Sequence, residues 1–102
     1  MRGGSTVPES VSAFHPALAG HFPGNPVVPG MVILSRVCLA LRQAHRVTVK
    51  AVAVVKFHAP LRPEEPFAIG LEPAGAGRYR FCVVRENMVV ATGTLEAGDP
   101  CA

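Results

Sequence analysis

The stretch GHFPGNPVVPGMVILSRV, Gly20–Val37, decides how the rest of the chain reads. Its first eleven residues hold one histidine, three prolines and three glycines. Prolines fix their own φ angles, so a loop this rich in them holds His21 in few positions. From Met31 onward the apolar residues Leu34, Val37, Cys38 and Leu41 recur at helical spacing, with Ile33 and Ala40 widening the stripe. Pro29 and Gly30 suit the helix start: proline is pre-set for the first turn, and glycine lets another group approach the backbone. The helix should end near Ala44–Arg46, where Arg42, His45 and Arg46 meet the negative end of its dipole.

After the helix the period changes. VTVKAVAVVKFHAPL (Val47–Leu61) is β-branched and partly alternating, which predicts a long, largely buried strand ended by Pro60, Pro63 and Pro66. FAIGLEPAG, RYRFCVVRE and MVVATGTLEA follow as three further strands, and SVSAF (Ser10–Phe14) reads as a short strand entering the loop. One apolar helix among antiparallel strands predicts an α+β fold in which the sheet wraps the helix, about residues 30–45. Residues 1–8 and 99–102 read as tails around a single domain, residues 9–98.

At 102 residues with 49% apolar and 17% charged side chains, the chain is globular and greasy for its size, which points to a partner subunit. Ten Lys and Arg against seven Asp and Glu give a net charge of +3, unevenly placed. No carboxylate lies between Glu9 and Glu64, while Arg36, Arg42, Arg46, Lys50, Lys56 and Arg62 all do. That excess reads either as a solvated face or as a landing patch for an acidic partner. Nucleic acid fits poorly, with five Phe, one Tyr and no recognition motif. Cys38, Cys82 and Cys101 lack ligand spacing, so no metal site is expected, and a reducing, cytoplasmic setting is. The first ten residues carry no apolar targeting core, and no run is long enough to span a membrane.

His21 stands nine residues before a helix start whose first N–H groups have no partner within the helix. Those donors and the dipole form a site for a carbonyl oxygen gaining negative charge, and Gly30 leaves it unobstructed. A histidine beside such a site is equipped to remove a proton α to the carbonyl. The plain alternative is a hydrogen-bonded loop histidine.

GHFPGNPVVPG followed by MVILSRV closely resembles the loop and central helix of the β-hydroxyacyl-acyl-carrier-protein dehydratases of the FabA/FabZ type. Their pattern, His-Phe-Pro-x-x-Pro-x-x-Pro-Gly, is matched by His21, Phe22, Pro23, Pro26, Pro29 and Gly30. VVKFHAPLRPEEPF and YRFCVVRENMVVATGTLEA resemble the family's later strands less specifically. The resemblance implies a hotdog fold, dimerised edge to edge, and dehydration of a 3-hydroxyacyl thioester in fatty-acid or polyketide-type synthesis. The substrate would ride on the phosphopantetheine arm of acyl carrier protein, with no further cofactor. It implies His21 as base, the Gly30 N–H on the thioester oxygen, and an acyl chain lying against Phe22, Pro29, Met31, Leu34 and Cys38. His58 is a lesser candidate at the same tunnel.

One position departs from the family. The helix acid falls five residues after the last glycine, and here that residue is Ser35. A serine hydroxyl is a poor proton donor at neutral pH. Three readings follow: a homodimeric dehydratase using a water held by Ser35, a heterodimer whose second hotdog subunit brings the acid, or a non-catalytic acyl- or carrier-binding subunit. A thioesterase-like hotdog is a further alternative.

Overall fold

The computed structural model describes residues 5–10 and 27–100. Its elements are β1 (Ser5–Glu9), α1 (Gly30–His45), β2 (Val47–Phe57), β3 (Phe67–Pro73), β4 (Arg78–Arg85) and β5 (Met88–Pro100). The five strands form one antiparallel sheet in the order β1-β3-β4-β5-β2, so β2 and β1 are its edges.

Helix α1 lies where the periodicity places it. Pro29 is its N-cap in extended geometry, and Arg46 closes it in the left-handed region with its N–H on the Arg42 carbonyl. Val32, Ile33, Val37, Ala40 and Leu41 form its buried face. They pack against alternate residues of the central strands, among them Ile69, Leu71, Phe81, Val83 and Leu95.

Three expectations change. Strand β2 is not largely buried: only Val47, Val49 and Val55 pack partly against the core, while Val52, Val54 and Phe57 are exposed. The cause is its edge position, since among the described residues only β5 flanks it, with irregular register at 47–49, 49–51 and 52–54. Residues 5–8 are not a tail but part of β1, because β3 has a free edge to pair with, and Pro8 is tolerated on an edge strand. Residues 99–100 likewise continue β5, with Pro100 opposite Val47. The predicted strand at Ser10–Phe14 has only Ser10 among the described residues, and Ser10 lies outside β1.

The sheet also covers less of the helix than its apolar circumference suggested. Met31 is 75% exposed and Leu39 46%, and with the exposed Ser35 between them they form an uncovered stripe one helical face wide.

Candidate active site

The start of α1, the end of β2 and the segment after it enclose an apolar cleft of about 670 Å³. Two sets of backbone hydrogen bonds build it. The N–H groups of His58 and Ala59 both donate to the Val90 carbonyl, at 2.7 and 3.3 Å, which carries the chain past the end of β2. The Val28 N–H then donates to the Leu61 carbonyl at 2.7 Å, fixing the approach to the helix. Pro29 follows, and its carbonyl accepts from Val32 and Ile33 at 3.0 and 3.3 Å.

Neither the Gly30 nor the Met31 N–H meets an acceptor among the described residues. These are the orphan donors of a helix N-terminus, opening on the cleft with no acidic side chain in the first turn. Gly30 itself is closely covered: a Cβ there would stand 2.8 Å from the tip of the Phe57 ring. Phe57 therefore roofs the helix start, although half its own surface faces solvent.

Gly30, Met31, Leu34 and His58 all line this cleft, and Pro29 caps the helix at its edge. Cys38, one turn further along, is not on its wall but packs half-buried against the core, where burial pushes its thiol pKa up. The His58 ring does not turn inward: its Nε2 lies 3.0 Å from Thr92 Oγ1, and Thr92 shares the outer sheet face with Lys56 and Arg80. His21 and Phe22 lie outside the described residues. Phe57 was missed in the sequence. Its neighbour Val55 faces inward two residues earlier, but only the β2–β5 register shows that this alternation ends over Gly30.

Ser35 sits in the uncovered stripe of α1. Its hydroxyl donates to the Val32 carbonyl at 2.9 Å, back along its own helix. The proton is spent on the backbone, so Ser35 offers its surroundings only lone pairs. Among the described residues, no three His, Cys, Asp or Glu side chains converge as metal ligands, and no helix is long and apolar enough to cross a membrane.

A family model described as ApeI-like, ApeI dehydratase, matches residues 5–94. No curated protein matches the chain. Among solved structures, the dehydratase heterocomplex ApeI:P from Xenorhabdus doucetiae superposes with a TM-score of 0.82 at 17% identity, covering 97% of this chain and 90% of that one. An uncharacterised protein from Erwinia carotovora gives 0.72 at 18% identity over 95% and 83% of the two chains. The PaaI protein of E. coli, from the phenylacetic acid degradation operon, gives 0.64 at 16% over 98% and 76%. At such identities the likeness establishes the fold: a hotdog, one helix against a curved antiparallel sheet.

Proposed function

Since the chain belongs to the ApeI-like dehydratase family, we propose that it removes water from a 3-hydroxyacyl thioester as the base-bearing subunit of a mixed hotdog pair. The observation that carries this reading is Ser35, exposed on the uncovered helix stripe with its proton committed to Val32. A homodimer would hold no acid at that position in either site. Similarity to a chain of a dehydratase heterocomplex supports a second, different subunit.

In this reading the thioester carbonyl oxygen takes the Gly30 N–H, and its developing charge is stabilised by the helix N-terminus. His21 accepts the α-proton, and the electron pair forms the α,β double bond as the bond from C3 to oxygen breaks. A carboxylic acid from the partner's helix protonates the departing hydroxyl, which leaves as water. The acyl chain lies in the cleft beside Met31 and Leu34. Acyl carrier protein delivers it, drawn by the basic residues between positions 36 and 62.

The test is complementation. A His21→Ala, Ser35→Glu chain supplies the acid but no base; the unaltered chain supplies the base but no acid. At high salt, each alone should turn over a 3-hydroxyacyl thioester feebly. Their mixture should gain about 10²-fold or more, the usual worth of a general acid. A mixture no faster than its components, with mixed pairs shown to form, would reject the mechanism and leave a non-catalytic acyl-binding subunit.

A further inference from the structure

We propose that the open edge of β2 is charged against pairing with a second copy of this chain, and that the subunit it accepts carries carboxylates along its facing edge. The inference rests on the mixed-pair reading and concerns how the partner is selected.

Strand β2 is eleven residues long, contains no proline and has one flank unpaired among the described residues, with Val52 and Val54 exposed along the strand. Such an edge is a template for another strand. Its only charges are Lys50 and Lys56. Both are exposed on the outer face of the sheet, Lys56 beside Arg80 and Thr92, Lys50 beside Arg78 and Glu96. Neither has an ion pair among the described residues. The nearby carboxylates are already engaged: Glu96 with Arg78 at 3.4 Å, Glu72 with Arg80 at 3.6 Å, and Glu65 with Arg85 at 3.3 Å. Neither α1 nor β2 contains an Asp or Glu.

Symmetry turns those two lysines into a rule. The register irregularities at 49–51 and 52–54 break strict alternation between the two lysines, yet both still lie on the outer face, toward opposite ends of the strand. A two-fold antiparallel self-pair centred on the middle of β2 therefore lays the Lys50 end of one copy against the Lys56 end of the other, and the axis repeats the clash. Opposed Cβ atoms lie about 5 Å apart and diagonal ones about 7–8 Å, so central pairing brings like charges within a Debye length. A chain of the same fold with Asp or Glu at the facing positions converts both clashes into ion pairs. The division matches that of the proposed active site, with base and cations on this chain, acid and anions on the other.

The experiment measures association by sedimentation of the full chain and needs no turnover. Unaltered chain should self-associate about tenfold more tightly at high than at low salt. A Lys50→Gln, Lys56→Gln variant should self-associate about tenfold more tightly than the unaltered chain at low salt and lose the salt dependence. A Lys50→Glu, Lys56→Glu variant mixed with unaltered chain at low salt should form one-to-one pairs at least about tenfold tighter than either self-pair, weakening as salt rises. An unaltered self-pair as tight at low as at high salt would overturn the proposal. So would a charge-reversed mixture with no preference for mixed pairs, or one that does not pair at all. These outcomes leave the assignment of His21 and the helix acid to the complementation assay, so the two failures are separable.

Discussion

Gly30 and Gly93 are both tightly covered, yet an added methyl group means something different at each. At Gly30 it would meet the tip of the Phe57 ring, a half-exposed side chain free to swing. Gly30→Ala should leave thermal stability within a few degrees, because alanine also favours helix by up to about 1 kcal/mol. Crowding of the donor should still cut turnover in the complementation assay about tenfold, since misplacing a reacting group is expensive. At Gly93 the methyl would press into the Val54 carbonyl and stand 2.6 Å from the buried Phe81 ring. Gly93→Ala should therefore cost about 3 kcal/mol in chemical denaturation, because neither backbone nor core ring can retreat. Cys38 supplies a pH signature. Burial raises its thiol pKa above the ordinary value of 9.0, so the folded state disfavours the thiolate. Its contribution to stability is whole below the unfolded pKa and is lost as pH rises through the folded one. Denaturation midpoints of the unaltered chain should fall more steeply above pH 9.0 than those of Cys38→Ala.

Between elements, the segment linking β2 to β3 is held by one carboxylate. Glu65 accepts from the Arg62 N–H at 2.8 Å and from Arg85 Nη1 at 3.3 Å, tying the proline-rich turn to the β4–β5 hairpin. Glu65→Ala should cost about 1 kcal/mol, read as a lower thermal midpoint, since the half-buried Arg85 and the exposed Arg62 N–H lose their acceptor together. The elements were legible in the sequence to different depths. Helix α1 was clear because its apolar residues repeat at a spacing no strand can use. Strands β3 and β4 were clear because Phe67, Ile69, Leu71, Phe81 and Val83 alternate strictly toward the core. The location of β2 was not, because a run of Val and Ala suits a buried strand and an apolar edge equally. Only its pairing with β5, forty residues on, decides between them. The same holds for the candidate site. Gly30 and Ser35 could be placed by counting along one helix, whereas the outward turn of His58 and the roof formed by Phe57 depend on cross-strand register.

Over the whole molecule, protection should be graded from the middle of the sheet outward. Amides of β4 and the β5 stretch facing it should exchange slowest, and the unpaired outer amides of β2 fastest. Adding the charge-reversed variant should slow exchange along β2 specifically, with β1 at the opposite edge unchanged. The strand order carries a further consequence, for biogenesis. Among the described strands β2 has a single neighbour, and that neighbour is the last of them in sequence. While the chain emerges from the ribosome, an apolar eleven-residue strand must wait without a sheet until β5 has been made. Long-range strand pairing of this kind is slow and leaves the waiting edge open to aggregation. A partner already folded could capture that edge early, so yield of intact protein should depend on which chain is translated alongside it.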